Sequence, residues 1–303
     1  MHGFRNLQDA DALSAIAQQG GEAVVIGGGL LGLEAAEGLR KRGHDIRVSV
    51  VQRSKRLMNR QLDTTASHLL ENELSQRGLK IITGAQLARL EGDAQGRVSK
   101  LHFDDGRQLA ATSVIIAAGI TPNAALGHQA GLSTERAIVV DEFLTTSDPA
   151  ISALGECCQF EGTTYGLVEP IWRQVEVLDA RLAGTPTQGY ADAPSATKLK
   201  ISGVALYAFG PTEASTEHDV LSYHDIERGD YRRLLLRDGR IEGAVLYGDT
   251  TQGPWYFDQA LAGNDLSHCR QALLFGAADV EALQSSTADQ QNDTPHLSTL
   301  EVA

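Results

Sequence analysis

Three glycines at a fixed spacing, Gly27, Gly29 and Gly32, directly follow the apolar residues 24–26. After a buried strand, this spacing lets the backbone turn tightly, approach a pyrophosphate and pack a helix close to the sheet. Because the sequence contains 31 glycines among 303 residues, chance matches are expected, and the flanking sequence must decide. The pattern occurs once, and no second copy follows it. The first hypothesis is a single dinucleotide-binding site.

The residues after the glycines have the periodicity of a helix followed by a strand. Apolar residues recur at helical spacing at Leu31, Ala35 and Leu39. Gly43 is expected to end this helix, and residues 46–51 form an apolar run typical of a buried strand. The order strand, glycine turn, helix, strand is that of a mononucleotide-binding unit, which favours a functional interpretation over a structural glycine turn.

Charge and composition exclude several classes of protein. The formal net charge is −13, and since phosphate binding needs a basic surface, nucleic acid and anionic membranes are not expected as partners. No stretch resembles a membrane span, and residues 1–20 lack the pattern of a signal peptide, which predicts a soluble cytoplasmic protein. The three cysteines, Cys157, Cys158 and Cys269, form no C-x-x-C motif, so inert thiols and no metal site are expected.

Downstream of the glycine motif, strands and helices continue to alternate. Residues 62–77 are amphipathic with Asp63 as the expected N-cap, and residues 80–83 predict the next strand. Residues 87–109 consist of short apolar runs broken by Asp and Gly, which predicts a small antiparallel meander before a buried strand at residues 114–119.

The remainder of the chain predicts smaller elements. They are strands at 138–140 and 151–154, a helix begun at Pro170, a linker at 184–196, strands at 198–202, 204–209 and 220–224, and helices near 254–261 and 266–274. The strongest local signal is Asp238-Gly239, which predicts a hairpin between residues 231–237 and 240–247. Residues 284–303 are polar, and disorder is expected there.

Several motifs occur in a fixed order and are specific as a series. They are Gly27-x-Gly29-x-x-Gly32-x-Glu34, Ala117-Ala118-Gly119-Ile120-x-Pro122-Asn123, and Thr146-Ser147-Asp148-Pro149-x-Ile151-x-Ala153-x-Gly155-Glu156. This order resembles the flavin-dependent pyridine nucleotide-disulfide oxidoreductase superfamily. Segments 30–36, 57–63, 155–157 with 165–168, and 197–204 resemble one branch, the flavoprotein portion of assimilatory NAD(P)H nitrite reductase large subunits and the electron-transfer subunit of assimilatory nitrate reductase. The resemblance covers residues 2–283.

The resemblance implies an α/β fold that uses FAD and NAD(P)H. Its parts are a Rossmann-like NAD(P)-binding domain with a β-meander crossover, a partial FAD-binding segment and a small α+β C-terminal domain. The implied boundaries are 1–20 for a linker, 21–123 for the NAD(P)-binding domain, 124–187 for the C-terminal part of the FAD-binding domain, 196–283 for the C-terminal domain and 284–303 for a disordered tail.

The resemblance also implies roles for individual residues. Glu34 corresponds to a carboxylate near the nicotinamide, and Gly155 with Glu156 to the pair that meets the flavin ribityl chain and phosphate. The helix opened by Glu169 and Pro170 corresponds to one whose N–H groups face the flavin pyrimidine, where its dipole stabilises negative charge on the reduced ring. The predicted catalytic residue is Glu34, and the predicted cofactor-binding residues are Gly27, Gly29, Leu30, Leu31, Gly32, Gln52, Arg53, Lys55, Gly119, Gly155, Glu156, Glu169 and Pro170.

The choice of nicotinamide nucleotide depends on the end of the second strand, where specificity for NAD needs Asp or Glu on the ribose hydroxyls. That position is Gln52, which can bond the hydroxyls without repelling a 2′-phosphate. Arg53, Lys55 and Arg56 follow it. NADPH, or the use of both nucleotides, is therefore favoured, although a basic run after a strand is also typical of a solvated loop.

Two departures from the family pattern limit the interpretation. The family begins with its own Gly-rich strand and helix for the FAD pyrophosphate, and roughly a hundred residues of that half have no counterpart here. The chain is therefore interpreted as N-terminally truncated or split, with residues 1–13 resembling the linker between the halves. The cysteine-rich iron–sulfur and siroheme regions of large nitrite reductases also lack a counterpart, so nitrite reduction itself is not expected.

Three hypotheses for function follow. The first is an FAD-dependent NAD(P)H oxidoreductase of nitrate or nitrite assimilation, whose partner is the catalytic component of nitrate or nitrite reductase, or a separate chain with the FAD half. The alternatives are a non-catalytic NAD(P)-binding remnant and a reductase for rubredoxin or ferredoxin. A homodimer is left open. Trp255, Tyr256 and Tyr247 are candidates for a partner surface, but aromatic residues next to Pro254 are more often core.

Overall fold

The computed structural model describes residues 1–292, and the side chains of residue 284 and residues 286–292 lie outside the description. The chain divides into two compact units. The first unit combines Met1–Ala118 with the chain from Ala196 onwards, and the second unit is Gly119–Ser195. Among the described residues, no helix has the length and apolarity needed to cross a membrane.

The N-terminal part of the first unit is a parallel sheet with its helices. It contains α1 (Leu7–Gln19), β1 (Gly21–Ile26), α2 (Leu30–Arg42), β2 (Ile46–Val51), α3 (Thr64–Gln76), β3 (Lys80–Ile82), β4 (Leu87–Gly92), β5 (Val98–Phe103), β6 (Gln108–Ala110) and β7 (Ser113–Ile116). The parallel strands are ordered β3-β2-β1-β7. Because both faces of a parallel sheet are covered, the middle of β1 is the continuous apolar run Ala23, Val24 and Val25. The predicted order of strand, turn, helix and strand is confirmed.

The antiparallel meander lies where the sequence predicts it. Strands β4, β5 and β6 pair in that order, before β7 returns to the parallel sheet. Leu101 and Phe103 of β5 are buried in one cluster with Val24 of β1 and Val114 of β7. The meander therefore covers one face of the central strands.

The N-terminus contains a helix that the linker prediction for residues 1–20 misses. Asn6 caps α1, since its side chain accepts the Asp9 N–H at 3.0 Å, and Asp9 accepts the Asn6 N–H at 3.1 Å. Leu13 and Ile16 of α1 are buried in the main core of the first unit. His2 also forms a parallel bridge with Ile115 of β7. Residues 2–19 are thus part of the folded first unit.

The second unit is small and contains short elements. They are α4 (Ala125–Gln129), β8 (Ile138–Val139), β9 (Cys158–Phe160), β10 (Thr163–Thr164) and α5 (Val168–Ala183). The sheet has the order β10-β9-β8, with β8 parallel to β9. The predicted strand at residues 151–154 is wrong, because only Ser152 pairs, in an isolated bridge to Thr145. The helix predicted to begin at Pro170 begins at Val168.

The C-terminal part of the first unit is an antiparallel sheet with helices. It contains β11 (Thr197–Lys198), β12 (Leu206–Phe209), β13 (Asp219–Asp225), β14 (Asp230–Arg237), β15 (Arg240–Tyr247), α6 (Gly253–Ala262) and α7 (Ala277–Asn292). The sheet order is β11-β12-β15-β14-β13. Asp238 and Gly239 both have positive φ, 48° and 74°, which confirms the tight hairpin between β14 and β15.

Four predictions for the C-terminal part need correction. The predicted strands at 198–202 and 204–209 are shorter, because β11 ends at Lys198 and β12 begins at Leu206. The helix predicted at 266–274 is instead two 3₁₀ turns, Ser267–Cys269 and Leu273–Phe275. The tail expected to be disordered from residue 284 is helical as far as Asn292, and residues 293–303 lie outside the described residues.

The two parts of the first unit share one hydrophobic core. Leu199, Ile201 and Leu206 from the C-terminal part are buried in the same cluster as Leu33 of α2 and Leu70 of α3. Polar contacts reinforce this packing, and the Arg77 guanidinium donates to the Ser202 carbonyl at 2.8 Å. The nucleotide-binding sheet and the C-terminal sheet therefore form one folded body.

Candidate functional site

The glycine turn between β1 and α2 packs so closely against neighbouring backbone that two of its glycines leave no room for a side chain. Gly27 has φ +119°, and a Cβ there would collide with the carbonyl of Ala117, the residue directly after β7. A Cβ on Gly32 would collide with the Gly27 carbonyl. At Gly29 the situation is opposite, because a Cβ would meet no heavy atom within 4 Å. The turn is therefore tightly packed at Gly27 and Gly32, and there is free space beside Gly29.

The start of α2 lies at this open position. Gly29 is the N-cap residue, and no side chain caps the helix. The first N–H groups of α2, which begin at Leu30 and Leu31, therefore lack a side-chain acceptor. These groups and the helix dipole favour an anion such as a pyrophosphate. The residues present fit the dinucleotide phosphate group that the sequence predicts.

Gln52, at the end of β2, is bonded within the protein rather than facing open space. Its side-chain oxygen accepts the Gly28 N–H at 2.9 Å. Its amide nitrogen donates to the Ser54 hydroxyl at 2.6 Å and to the Asn59 side-chain oxygen at 3.2 Å. Both amide hydrogens are thus used, so Gln52 cannot donate to ribose hydroxyls in this arrangement. Its observed contacts hold the glycine turn against the β2 end.

The basic residues after Gln52 differ in whether their side chains already have partners within the protein. Arg53 and Lys55 are exposed, and neither makes an ion pair or side-chain hydrogen bond among the described residues. Arg56, in contrast, forms an ion pair with Glu213 and donates to the Thr64 hydroxyl at 3.2 Å. Arg53 and Lys55 are therefore the cations of this segment that can meet an anionic ligand.

Glu34 projects from α2 and is tied to the C-terminal part of the first unit. One of its carboxylate oxygens accepts the Lys200 backbone N–H at 3.1 Å. The contact joins residues 166 positions apart, so no local pattern could reveal it. It fixes the orientation of the carboxylate.

The residues predicted to meet a flavin lie in the second unit. Gly155 has φ +83° and begins a 3₁₀ turn that includes Glu156. The first turn of α5, with Glu169 and Pro170, has no side-chain cap at Leu167, so its N–H groups at Val168 and Glu169 lack a side-chain acceptor. These features fit the positive end of a helix facing a polar ring. Gly119, which has φ +112°, begins this unit after β7.

One residue of this region was missed by sequence reasoning. Gln174 is fully buried, and its side-chain oxygen accepts the Gly155 N–H at 2.8 Å. It fixes the Gly155 turn to α5 in the way that Gln52 fixes the Gly28 turn to β2. Its signal was available, since a glutamine stands between Pro170 and Val177 on the buried face of an amphipathic helix.

Cys158, Cys269, Tyr247 and Tyr256 are buried, whereas Cys157 and Trp255 are half-buried. Cys158 is fully buried, and burial, with the neighbouring Cys157, raises the pKa of its thiol to about 12. Tyr256 is fully buried and its hydroxyl donates to the Leu273 carbonyl, while Tyr247 is also buried. Within the described residues, no group of His, Cys, Asp and Glu side chains is arranged to hold a metal ion.

A family model for pyridine nucleotide-disulphide oxidoreductases matches residues 1–179, more than half of the chain. The chain belongs to this family. A second model, for the C-terminal domain of rubredoxin NAD+ reductase, matches residues 194–260. The predicted resemblance to pyridine nucleotide-disulphide oxidoreductases is therefore confirmed, and so is the predicted α/β fold class.

Two curated relatives of this chain come from Bacillus subtilis. A nitrite reductase [NAD(P)H] is 39% identical over 96% of this chain and 36% of its own length. An assimilatory nitrate reductase electron transfer subunit is 36% identical over 90% of this chain and 35% of its own length. The chain thus spans about a third of the length of these relatives.

Two solved structures are also similar to this chain. The putidaredoxin reductase–putidaredoxin complex matches with a TM-score of 0.78 and 23% identity, covering 94% of this chain and 68% of that one. An FAD-dependent pyridine nucleotide-disulphide oxidoreductase from Desulfovibrio vulgaris matches with a TM-score of 0.76 and 26% identity, covering 95% of this chain and 76% of that one.

Proposed function

We propose that the chain is the NAD(P)H-binding electron-transfer component of an FAD-dependent oxidoreductase in nitrate or nitrite assimilation. The observation that carries the proposal is the open position at Gly29 beside the uncapped start of α2. A pyrophosphate suits it, since the N–H groups and the helix dipole attract an anion. Identities of 39% and 36% to the two Bacillus subtilis proteins support the physiological context. The proposed location is the cytoplasm.

In this proposal each residue of the nucleotide site has a physical task. Gly27 and Gly32 permit the close packing of the turn, and the N–H groups at Leu30 and Leu31 bind the pyrophosphate. Gln52 holds the turn in position. Glu34, oriented by the Lys200 N–H, presents a carboxylate to the nicotinamide.

Arg53 and Lys55 are proposed to set the preference for the nucleotide. Both are exposed cations without partners among the described residues, and they follow Gln52, which bears no charge to repel a 2′-phosphate. NADPH, or both nucleotides, is therefore the proposed donor.

FAD is the proposed acceptor of the hydride, and it passes the electrons to a partner. Gly155 and Glu156 would hold its ribityl and phosphate region, and the N–H groups at the start of α5 would face its pyrimidine ring. The described residues contain one Gly-rich turn of the nucleotide-binding type, so the FAD pyrophosphate is proposed to bind residues outside them. A separate FAD-binding half is one proposed partner, and the catalytic component of nitrate or nitrite reductase is the other.

A reductase that delivers electrons to rubredoxin is the second candidate. The match of residues 194–260 to the C-terminal domain of rubredoxin NAD+ reductase favours it. The two candidates differ only in the electron acceptor. If the flavin-loaded protein reduces rubredoxin faster than it reduces a nitrate or nitrite reductase component, the second candidate is supported.

Calorimetric titration with NADPH and with NADH tests the nucleotide site. We expect binding of NADPH, and we expect Arg53→Ser with Lys55→Ser to weaken NADPH about tenfold while leaving NADH unchanged. Arg136→Ser with Arg228→Ser, which removes two exposed arginines outside the glycine turn and the residue 53–56 segment, is the charge-matched control. Failure to bind either nucleotide, or a strong preference for NADH, would contradict the proposal.

Flavin content tests the proposed reaction. A yellow sample that bleaches on addition of NADPH supports the oxidoreductase, because bleaching reports the reduction of bound flavin. A sample that binds the nucleotide but shows no bleaching with NADPH when FAD and a separate FAD-binding half are both supplied supports the non-catalytic alternative.

A further inference from the structure

Met58 has a left-handed backbone conformation although it is not a glycine. It lies in the connection between β2 and α3, its φ is 45°, and its side chain is 1% exposed. For a residue with a Cβ this conformation is unfavourable, because the Cβ crowds the following carbonyl oxygen. Strained residues of this kind persist only where the surrounding contacts hold them, and they cluster at functional sites. The contacts of Met58 therefore indicate what its conformation is for.

The backbone N–H of Met58 reaches the glycine turn. It donates to the Gly28 carbonyl at 2.8 Å. The N–H of the same glycine is accepted by the Gln52 side chain at 2.9 Å. Both polar backbone groups of Gly28 are thus bonded to residues 52–58. The peptide groups on either side of Gly28 cannot rotate without breaking one of these bonds.

Residues 52–58 also fill the space beside Gly28. A Cβ on Gly28 would lie 2.6 Å from Cδ2 of Leu57 and 3.1 Å from Cβ of Gln52. Leu57 itself is fully buried. The segment therefore packs against the glycine turn in addition to bonding to it, so the turn has little freedom to change shape.

The conformation of Met58 is held by contacts that do not involve the glycine turn. The Met58 carbonyl accepts the Gln61 N–H at 2.8 Å and the Leu62 N–H at 2.9 Å. The Leu57 carbonyl accepts the hydroxyl of Ser67, on α3, at 3.0 Å. The Met58 side chain is buried in the main core of the first unit. These contacts attach the segment to α3 and to the core, and they retain the strained conformation.

We propose that Met58 is a positioning residue of the nucleotide site. Its left-handed backbone directs an N–H to Gly28, and with Gln52 this bond holds the turn in the shape that presents the N–H groups at the start of α2 to the pyrophosphate. The inference rests on the proposed function, because the bound nucleotide gives this shape its task. Arg53 and Lys55 lie between the two attachment points, so the same bonds also hold these cations relative to the turn.

Two substitutions of Met58 separate its backbone conformation from its packing. A β-branched residue is strongly disfavoured at positive φ, whereas glycine adopts this conformation freely. Glycine, however, removes more of the buried side chain than valine does. Met58→Val should therefore weaken NADH about tenfold and NADPH at least as much, while Met58→Gly should stay within about twofold of the wild type. Calorimetric titration measures the affinities at a temperature at which every variant is folded.

Leu70→Val is the matched control for a loss of buried volume. Leu70 lies on α3, is fully buried in the same core, and is outside the segment that contacts Gly28. It should lower the midpoint of thermal unfolding but leave the affinity for NADH within about twofold of the wild type. Circular dichroism verifies that each variant is folded.

Hydrogen exchange of the wild type provides a measurement that needs no variant, in case Met58→Val does not fold. The Met58 amide should exchange at least about 100-fold more slowly than an unprotected amide, and NADPH should slow the exchange of Met58 and Gly28 further. Exchange of the Met58 amide at the unprotected rate, or no effect of bound NADPH, would overturn the inference.

The titrations can overturn the positioning role in two ways. Met58→Val could bind NADH as tightly as the wild type does. Alternatively, Met58→Gly could lose as much affinity as Met58→Val, in which case packing alone explains both losses. In either case a wild type that binds NADPH leaves the proposed function intact. If the wild type binds neither nucleotide, the proposed function fails, and the positioning role fails with it.

Discussion

The side-chain oxygen of Gln52 accepts the backbone N–H of Gly28 at 2.9 Å, and this bond joins the end of β2 to the glycine turn after β1. The amide nitrogen of Gln52 is occupied by Ser54 and Asn59. The position at which NAD-specific sites place a carboxylate for the ribose therefore holds a residue that shapes the turn.

Gln52→Ala should weaken NADH and NADPH alike, by about fivefold each. The Gly28 N–H loses its acceptor, which costs about 1 kcal/mol, and the turn serves the pyrophosphate that both nucleotides share. Calorimetric titration with both nucleotides measures the effect.

Gln52→Glu is the companion variant. It retains an acceptor for the Gly28 N–H but introduces a negative charge, so it should weaken NADPH more than NADH. A loss of NADH binding alone in Gln52→Ala would instead show direct contact with the ribose and contradict the positioning role.

Glu34→Ala should lower the free energy of unfolding by about 1 kcal/mol, because the Lys200 N–H loses its acceptor. Glu34→Gln keeps an acceptor oxygen and should stay within about 0.5 kcal/mol of the wild type. Urea unfolding measures both. If Glu34→Gln retains stability but slows reduction of FAD by NADPH in the flavin-loaded protein, the carboxylate also has the predicted catalytic role. Equal destabilisation by the two variants would show that the bond to Lys200 is not what Glu34 contributes.

Tyr231→Phe should destabilise the first unit by about 2 kcal/mol, since hydrogen bonds to charged groups are stronger than neutral ones. The Tyr231 hydroxyl donates to the buried Asp63 carboxylate at 2.9 Å, and Asp63 also caps α3. The midpoint of urea unfolding measures the change.

Tyr223→Phe is the matched control for this substitution. Tyr223 lies on the neighbouring strand, is exposed, and its hydroxyl is 3.4 Å from the Asp225 carboxylate. Its loss should cost less than about 0.5 kcal/mol. A similar shift in both variants would mean that the bond to Asp63 contributes little.

Stability should fall in acid partly through Glu37. Burial raises the pKa of this carboxyl, but hydrogen bonds and charges from Arg40 and Arg77 outweigh burial and leave the pKa below its ordinary value of 4.5. The folded protein thus binds the proton more weakly than the unfolded chain. The stabilisation is present above the unfolded pKa and is lost as the pH falls through the folded one.

Thermal unfolding across pH measures this contribution. Glu37→Gln should be less stable than the wild type at neutral pH, and the difference should shrink between about pH 5 and pH 3. Glu71→Gln is the control for the loss of one glutamate carboxylate, because Glu71 on α3 has no ion pair among the described residues. A constant difference for Glu37→Gln would contradict the linkage.

Local patterns predicted the elements whose causes are local. The unit β1, glycine turn, α2 and β2 could be predicted because the glycines and the apolar period lie within one short segment. The Asp238-Gly239 hairpin was predictable because both turn residues tolerate positive φ. Helix α1 had a local signal too, the capping box of Asn6 and Asp9, which the linker interpretation overlooked.

The features that could not be predicted from the sequence depend on contacts between residues far apart in the chain. Gln52 meets Gly28 across 24 positions, Glu34 meets Lys200 across 166, and Tyr231 meets Asp63 across 168. The roles of these side chains depend on which partner the fold brings to them. The false strand at residues 151–154 failed for a similar reason, since a run of suitable residues forms a strand only where a neighbour pairs with it.

The core that the two segments of the first unit share has a consequence during synthesis on the ribosome. Leu33 and Leu70 are made early, but Leu199 and Leu206, which cover them, are made only after the whole second unit. During that interval the apolar residues of α2 and α3 lack the packing of Leu199 and Leu206, and exposed apolar surfaces are prone to aggregation. We therefore expect nascent chains that stop before residue 196 to depend on chaperones more than the full-length protein does.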